Sequence, residues 1–238
     1  MKRTIMLAAG GLVLAVRVAG AQGSCEDVKR YFSKPPKIGE WAELQLDMKK
    51  DEGKKPMLSQ VAFVDREVRD GEQFYRLQMT MTQKNGQKQI LQMLTPWGPE
   101  ALDKEYDTEV VMKMGDQPAM IMPFKGGKDQ PGIADIRKKC GEVNFVGEET
   151  VQVPAGSYKT RHYSGPEGDS WMSMDVPGWR MVKMVTKKGD TMVLTATGEG
   201  AKNAITEKPR DMRAMMGGRG FPGMKAPKDQ AEKEETEQ

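Results

Sequence analysis

Methionines at strand spacing are the residues of this chain whose type and position best suit chemistry. Four Met-x-Met triplets occur, at Met79 and Met81, Met112 and Met114, Met120 and Met122, and Met172 and Met174. If each triplet lies in a β-strand, both of its thioethers point to the same face of a sheet. Soft, unbranched thioethers suit an irregular apolar ligand, and they are also donors for a soft metal such as Cu(I). With 20 Met against 6 Phe, a third interpretation is that Met simply fills the core.

Catalytic motifs are weakly represented. His162 is the only histidine, and a lone histidine in a strand is typical of a hydrogen-bonding residue rather than of a base or a ligand. The chain contains no Gly-x-Ser-x-Gly elbow, no His-Glu-x-x-His pair and no Walker-type loop. A hydrolase built from two carboxylates stays open, because sequence alone does not pair acids across a sheet. We therefore predict a non-enzymatic protein without a cofactor.

The elements that must position these side chains are predicted to be strands. Residues 73–83 place Tyr75, Leu77, Met79 and Met81 on one face and polar residues on the other, which indicates a half-buried strand. Asn85-Gly86 predicts a hairpin into a strand at 88–95. Further strands are predicted at 39–48, 58–68, 109–114, 118–124, 142–146, 149–153, 157–164, 170–176, 179–186 and 190–198. This pattern favours one curved antiparallel sheet with one packed and one wet face, and a two-sheet sandwich is the alternative.

Three short helices are predicted beside the sheet. The first begins at Ser24, which opens a capping box, and ends before Pro35. The others cover about 99–106 and 131–140, and Gly141 closes the last one. The predicted fold class is therefore mainly β, with a few short helices on the concave side of the sheet.

The first residues have the pattern of an export signal. Lys2 and Arg3 precede an apolar run of 12 residues, 5–16, and Ala19-Gly-Ala21 is a typical cleavage site. The run is too short for a bilayer, which takes about 20 residues. We predict a signal peptide at 1–21, a β domain at 22–204, and a tail at 205–238 that is disordered because Gly, Pro and charge replace apolar periodicity. The mature protein is predicted to be periplasmic and without a transmembrane span.

The charge balance argues against one class of partner. Lys2, Arg3 and Arg17 leave with the signal, so that the 37 basic residues fall to 34 and equal the 34 acidic residues. No basic stripe with interleaved aromatic residues occurs. We therefore predict no nucleic-acid partner.

Cys25 and Cys140 are the only two cysteines. In an oxidising compartment, an isolated pair without a Cys-x-x-Cys motif favours a structural disulfide. Two free thiols are the alternative, because sequence does not place the two Cα atoms.

The apolar-ligand hypothesis names a specific set of side chains. If the Met-bearing strands are neighbours, Met, Leu and Val line the concave face, which is typical of a cavity for a lipid-like or other apolar ligand. The predicted lining residues are Tyr75, Leu77, Met79, Met81, Met93, Met112, Met114, Met172, Met174, Met192 and Leu194. A soft-metal site would instead draw on the four triplets, His162 and the methionines of the tail. A filled core would make the chain a structural or interaction module, with an envelope protein as a possible partner.

The chain also resembles a known family pattern. Val151-Gln-Val-Pro-Ala-Gly-Ser-Tyr158, Trp171-Met-Ser-Met-Asp-Val-Pro177 and Met181-Val-Lys183 follow one another, and Ile38-Gly-Glu-Trp41 opens the first strand. Together these segments are similar to exported bacterial proteins related to the lipoprotein-carrier (LolA/LolB-like) superfamily, over about residues 38–46 and 145–200. The resemblance implies a half-barrel of antiparallel strands whose open side is closed by helices. Those family members that are understood shuttle lipoprotein acyl chains across the periplasm.

Overall fold

The computed structural model describes residues 25–27, 29–49, 56–82, 86–98, 109–122 and 140–211. Its strands are β1 (Trp41–Asp47), β2 (Met57–Arg69), β3 (Glu72–Thr82), β4 (Lys88–Pro96), β5 (Val110–Met114), β6 (Met120–Ile121), β7 (Asn144–Val153), β8 (Gly156–Ser164), β9 (Gly168–Met172), β10 (Met181–Thr186), β11 (Thr191–Gly198) and β12 (Arg210–Asp211). All of them belong to one sheet, in the order β12-β6-β5-β4-β3-β2-β1-β11-β10-β9-β8-β7.

The predicted fold class is confirmed. The twelve strands form a single sheet that is not closed into a barrel, since β12 and β7 lie at opposite ends of the strand order. A two-sheet sandwich is therefore excluded. Neighbouring strands pair antiparallel, except that β12 runs parallel to β6.

Tight turns fix the register of the hairpins. Asp70 and Gly71, between β2 and β3, have φ angles of 51° and 81°, which is the backbone of a type I′ turn and suits the twist of a hairpin. Gly156, at the corner between β7 and β8, has a φ of 132°, a conformation that only glycine adopts without strain. The chain thus turns sharply at Gly156, between β7 and β8.

The N-terminal helix is tied to the sheet covalently. Residues 25–27 and 29–33 are helical, and Cys25 is bonded to Cys140 with the two Cα atoms 5.1 Å apart. The predicted disulfide is confirmed, and the alternative of two free thiols is wrong. The helix predicted at 99–106 lies outside the described residues, and of the one predicted at 131–140 only Cys140 is described, in helical conformation.

The larger core lies on one side of the sheet, which we call the inner face. Its buried members include Ala42, Leu44 and Val61 on β1 and β2, and Val182 and Leu194 on β10 and β11. The corner of the β7–β8 hairpin folds over this side, where Val153 joins the core and the Ala155 N–H donates to the Leu194 carbonyl at 3.4 Å. The hairpin therefore closes one half of the inner face.

Aromatic side chains seat the helix on the same side. Phe32 is buried and its ring centroid lies 4.8 Å from that of Trp97. Trp97 contacts Phe63 and Tyr75 edge-on, at 5.2 and 6.0 Å. The indole N–H of Trp97 donates to the Lys34 carbonyl at 3.1 Å, so this ring joins the helix to the middle of the sheet.

Several predicted strand boundaries are wrong. Within the described residues, the strand predicted at 118–124 is only β6, Met120–Ile121. The strands predicted at 142–146 and 149–153 are one strand, β7, whose register shifts between Phe145 and Gly147. A β-bulge there adds a residue and interrupts the alternation without ending the strand. The strand predicted at 170–176 ends at Met172, because the chain then turns and the Ser173 N–H donates back to the Arg180 carbonyl at 2.9 Å.

The side opposite the core, which we call the outer face, was predicted to be exposed to solvent. It is exposed only in part. Residues 199–211, which we call the strap, cross it after β11 and end as β12 beside β6. Ile205 of the strap is buried in a second, smaller core with Ile90, Val111 and Ala119. Residues 205–211, which were predicted as the start of the disordered tail, are therefore part of the folded sheet. Residues 212–238 lie outside the described part of the chain.

Within the described residues, no helix has the length and the apolar character that a membrane crossing requires.

Candidate functional site

Cross-strand register brings most of the predicted methionines onto one surface. Met79 on β3 pairs with Leu91 on β4, Leu91 pairs with Met112 on β5, and Met112 pairs with Met120 on β6. One row further along, Met81 and Met114 both pair with Gln89, and on the other side Met93 pairs with Leu77. Directly opposed residues in a sheet point to the same face, so these side chains share the inner face with Tyr75 and Leu77. We call this surface the Met face: Met79, Met81, Leu91, Met93, Met112, Met114 and Met120.

The Met face is partly exposed along its whole extent. Each of its residues is intermediate in exposure, and none is fully buried. Met79 and Met93 pack against the larger core, whereas Met81, Met112 and Met114 belong to neither core cluster of the described residues. The part of this surface that carries Met81, Met112 and Met114 is therefore the least filled.

A buried hydroxyl lies at the border of the Met face. Ser59 on β2 pairs with Met81 and is 6% exposed. Its Oγ has no hydrogen-bond partner within the described structure. A buried hydroxyl without a partner costs about 1–3 kcal/mol, so this atom is a polar position that a ligand group or a water can satisfy. The amide of Gln89, which lies between Met81 and Met114, is a second polar group on this face, and its Nε2 donates to the Met112 sulfur at 3.4 Å.

Three predicted lining residues are core residues. Tyr75, Leu77 and Leu194 are 2%, 6% and 0% exposed and lie in the larger core. The phenol of Tyr75 donates to Gln73 Oε1 at 3.1 Å. Here aromatic rings and the β7–β8 corner fill the inner face, so these side chains have almost no surface left for a ligand.

The remaining three predicted residues lie away from the Met face. Met192 pairs with Leu46 on β1 and Met184 on β10, and packs against the larger core. Met172 is the last residue of β9, and Met174 lies in the turn that follows, so the two do not share one strand face as predicted.

A bulge interrupts the alternation of faces along β11. Leu194 pairs with Leu44, but Ala196 pairs with Glu43, so the register shifts at Thr195. Because one extra residue reverses the alternation, Ala196 lies on the outer face and does not share the face of Leu194.

Two members of the Met face were absent from the predicted lining set. Leu91 and Met120 lie between or beside predicted residues, at positions fixed by pairing with β3 and β5. A signal for Leu91 exists in the sequence, since residues 90, 91, 93 and 94 are all apolar, which is typical of a strand covered on both faces. Met120 depends on the register of a two-residue strand, which local sequence does not determine.

The far end of the inner face is closed by a polar network. Tyr163 on β8 donates to Asp27 Oδ2 at 2.6 Å, and Arg161 Nε donates to the same oxygen at 3.0 Å. Burial, and then the hydrogen bond to Asp27, hold the pKa of the Tyr163 phenol above its ordinary range. The guanidinium of Arg161 also lies 4.1 Å from the centre of the Phe145 ring. This network anchors the N-terminal helix and contains no open position for a substrate.

Arg180 and Tyr31 form a second anchor of the helix. Arg180 Nη1 donates to the carbonyls of Met174 and Val176 at 2.7 and 3.1 Å, and Tyr31 donates to the Gly178 carbonyl at 2.6 Å. Burial raises the pKa of the Tyr31 phenol, against the opposing effect of the Arg180 charge. Both residues therefore hold the turn after β9 against the helix.

His162 occupies a structural setting on the outer face. Its ring stacks on Trp171 with the centroids 4.3 Å apart, and its two nitrogens lie 3.2 and 3.3 Å from Glu149 and Asp169. The two carboxylates face different ring nitrogens and so do not converge on one position with the histidine. Among the described residues, no group of three or more His, Cys, Asp or Glu side chains is placed to hold a metal ion.

A cleft of about 570 Å³ lies beside the start of β3, whereas Met81 lies near the end of that strand. Its walls are Pro35, Pro36, Lys37, Ile38, Asp65, Arg66 and Tyr75. Lys37 is paired with Glu40 at 2.8 Å. The cleft combines charged and apolar walls and does not extend to the methionines of the Met face.

Comparisons with known proteins give distant likenesses of fold. No protein-family model matches the chain, and no curated protein matches it. A structure described as an exported protein with a YmcC-like fold from Bacteroides fragilis is 14% identical, covers 71% of this chain and 99% of its own, and has a TM-score of 0.39. A lipoprotein structure from Parabacteroides distasonis is 12% identical over 70% of this chain and 98% of its own, with a TM-score of 0.36. A DUF1329 family protein from Desulfovibrio piger is 10% identical over 80% and 95%, with a TM-score of 0.34.

With TM-scores below 0.5, these likenesses assign neither a family nor a function to the chain. The resemblance to lipoprotein carriers is not shown by them and stays a prediction.

Proposed function

We propose that this chain is an exported, non-enzymatic protein that binds a lipid-like or other apolar ligand against the Met face. The observation that carries the proposal is the partial exposure of seven neighbouring apolar side chains on one side of β3–β6. Contiguous apolar surface that is left accessible on a folded domain marks an interaction or ligand-binding surface more often than a defect of packing.

The chemistry of the Met face suits a flexible apolar chain better than a rigid ligand. Methionine has three rotatable bonds and a polarizable sulfur, and it adapts its shape to the bound molecule. The face spans four neighbouring strands, which is about 14 Å across at the usual strand spacing. The hydroxyl of Ser59 and the amide of Gln89, which both pair with Met81, supply two polar positions, and apolar ligand sites usually include a few such groups to orient the ligand.

The proposed location is the periplasm. The support is the signal-like pattern of residues 1–21 in the sequence and the disulfide between Cys25 and Cys140, since disulfides persist in oxidising compartments. A lipid-like ligand fits this location, because an apolar molecule that crosses an aqueous space needs its surface covered. A carrier of lipoprotein acyl chains would be a special case of this function.

A fluorescent fatty-acyl probe tests the proposal. Wild type is expected to bind the probe, and a Met81→Glu, Met112→Glu double variant is expected to lose binding, because an unpaired buried charge costs several kcal/mol. A Met81→Leu, Met112→Leu variant should retain most of the affinity, because leucine keeps the apolar surface and approximate volume.

The matched control is Thr82→Glu, which adds a charge to the next residue of β3 on the opposite, outer face, across from Lys88. It should leave probe binding unchanged. If Thr82→Glu weakens binding as much as the double variant does, the effect is not specific to the Met face. Failure of the wild type to bind any acyl probe would reject the proposal and favour a structural or interaction module with an envelope protein as partner.

A soft-metal function is the second candidate, and one observation favours it. Met112 and Met120 are directly opposed on neighbouring strands, which brings their Cβ atoms to about 5 Å. Thioethers at that spacing are compatible with Cu(I). Competition with a Cu(I) chelator separates the two functions, because Met→Leu changes at 112 and 120 should abolish copper uptake and leave acyl-probe binding nearly unchanged.

A further inference from the structure

The strap follows a fixed path across the outer face. At its start, the Trp41 indole donates to the Glu199 carbonyl at 3.2 Å, and the Ala201 N–H donates to the Gly39 carbonyl at 2.9 Å. At its end, the Arg210 N–H donates to the Ala119 carbonyl at 2.8 Å, and Arg210 and Asp211 pair parallel with β6. Between these points it runs over β3, β4 and β5.

A buried glutamine on β3 recognises the main chain of the strap. Gln78 is 4% exposed. Its Oε1 accepts the Ala204 N–H at 2.9 Å, and its Nε2 donates to the Lys202 carbonyl at 3.4 Å. One side-chain amide thus satisfies a donor and an acceptor of the strap backbone two residues apart. Contacts of this kind hold an extended segment whatever its side chains are.

A second buried glutamine adds side-chain selectivity. Gln92 on β4 is 2% exposed, and its Nε2 donates to Gln78 Oε1 at 2.9 Å and to Asn203 Oδ1 at 2.7 Å. The same Asn203 oxygen accepts the N–H of Ile205 at 3.0 Å. The side-chain oxygen of Asn203 therefore accepts one hydrogen bond from the sheet and one from the strap backbone at Ile205.

An apolar pocket receives the next residue. Ile205 is 5% exposed and packs in a cluster with Ile90, Val111, Ala119 and Ile121. Val111 on β5 pairs with Ile121 on β6, and Ile90 on β4 pairs with Lys113, two residues further along β5. This pocket is the only place where the described strap inserts an apolar side chain fully into the outer face.

A lysine on β5 forms an ion pair with Glu207, which follows Ile205 by two positions in the strap. Lys113 Nζ lies 2.7 Å from Glu207 Oε1. This hydrogen bond is the main reason why the pKa of the Glu207 carboxyl is held below its ordinary range. Along the strap, the outer face thus offers three binding features in order. These are the side-chain amides of Gln78 and Gln92, the aliphatic pocket for Ile205, and the ammonium group of Lys113.

The strap is held by few anchors. Lys202, Ala204, Thr206, Glu207, Lys208, Arg210 and Asp211 are exposed. Gly200, with a φ of 87°, lies at the junction with β11, where glycine permits the backbone to change direction without strain. A segment with one buried apolar side chain and mostly exposed neighbours belongs to the part of a fold that opens most easily.

We propose that the outer face of β3–β6 is a peptide-binding groove, which the strap occupies in cis. Its occupant in trans is an extended segment of a partner protein that carries an aliphatic residue followed two positions later by an acidic residue, the pattern of Ile205 and Glu207. The groove lies on the opposite side of the strands from the Met face, so a protein partner and an apolar ligand bind without overlap. Release of the strap would be the step that admits the partner.

The test uses full-length protein and a labelled synthetic peptide with the sequence of residues 199–211. In the variant Ile205→Asp the strap loses its pocket residue, and the groove becomes free for the peptide. If the strap occupies the groove at least about nine-tenths of the time in wild type, the apparent affinity of wild type for the peptide is at least about tenfold weaker than that of Ile205→Asp. Fluorescence anisotropy measures both.

Matched controls locate the binding. Adding Gln78→Ala to Ile205→Asp should remove most of the gain, whereas adding Val68→Asp, at an exposed position of β2, should leave it. A peptide with Asp in place of its isoleucine should not bind, and one with Gln in place of its Glu should bind more weakly. If Ile205→Asp does not fold, the double variant Asn203→Ala, Glu207→Lys is used in its place. It removes the two polar contacts by which the strap is held to Gln92 and Lys113.

Several outcomes overturn the proposal. One is a folded, strap-weakened variant that binds the peptide no better than wild type does. Another is binding that Gln78→Ala leaves intact. A wild type that forms a stable dimer by exchanging straps between copies, as shown by light scattering and lost in Ile205→Asp, would assign the groove to a second copy of this chain and would also reject the proposed partner.

Discussion

The two faces of strands β3–β6 differ in which side chains are buried. On the inner face, thioethers such as Met81 and Met112 remain partly exposed, while on the outer face the amides of Gln78 and Gln92 are almost completely buried. The difference lies in what covers each face. The strap brings backbone and side-chain partners to the glutamines, whereas Met81 and Met112 belong to neither core cluster of the described residues. Burial here follows the available partner rather than the hydropathy of the side chain.

A comparison within the inner face gives the largest expected effect. Leu194 is fully buried beneath the β7–β8 corner, and Met81 is partly exposed. Leu194→Ala should lower the free energy of unfolding by about 2–5 kcal/mol, because it leaves a cavity. Met81→Ala should cost about 1 kcal/mol or less, because much of its side chain is already in contact with solvent. Urea unfolding of both variants measures the difference.

Equal losses in the two variants would mean that the Met face is packed as tightly as the core. The distinction between a filled and an open part of the inner face would then be wrong, and the proposed ligand surface with it.

The outer face provides the next effect. Gln78→Ala removes the partner of Ala204, of Lys202 and of Gln92. It should cost about 1–3 kcal/mol, the usual range for buried polar groups left unsatisfied. It should also make the amide protons of the strap exchange faster, as hydrogen exchange measures directly. Thr82→Glu on the same outer face serves as the control and should leave strap exchange unchanged.

The alternation of the sequence predicts most of this sheet. The alternation of residues 73–83 gives the correct faces of β3, and Asn85-Gly86 predicts its antiparallel pairing with β4, because each of these features depends on neighbours in the chain. Cys25 and Cys140 pair as predicted because no other cysteine competes. The Met face follows from these elements in outline, since period-two spacing fixes which residues share a side.

Other features depend on partners far away in sequence. Gln78 is predicted to face solvent, and its burial requires Lys202 and Ala204, which lie 124 and 126 residues further on. The bulge at Thr195 reverses the alternation along β11 and has no local signature. Likewise, nothing in the composition of residues 205–211 distinguishes them from the tail that follows, because a single isoleucine, one ion pair with Lys113 and a two-residue strand hold them to the sheet.

The smallest effect concerns pH and the closed end of the inner face. Burial and the hydrogen bond to Asp27 raise the pKa of the Tyr163 phenol in the folded state. The unfolded chain then loses this proton first, at about pH 10, so the stability due to Tyr163 is complete below that pH and is lost as the pH rises above it. Tyr163→Phe should therefore show a shallower fall in stability between pH 9 and 11 than wild type does, in urea unfolding at each pH.

An identical alkaline slope in the two proteins would show that Tyr163 is not protected by the contact with Asp27. The N-terminal helix would then be anchored to this end of the inner face mainly by its disulfide and by the aromatic cluster around Trp97.

The most direct test of the central claim is native mass spectrometry of the protein isolated from its own cell envelope. We expect wild type to retain a non-covalent adduct with the mass of a lipid, and the Met81→Glu, Met112→Glu variant, folded and isolated in the same way, to lack it. The bare mass of the mature chain in both proteins, or a copper adduct in place of a lipid, would contradict it.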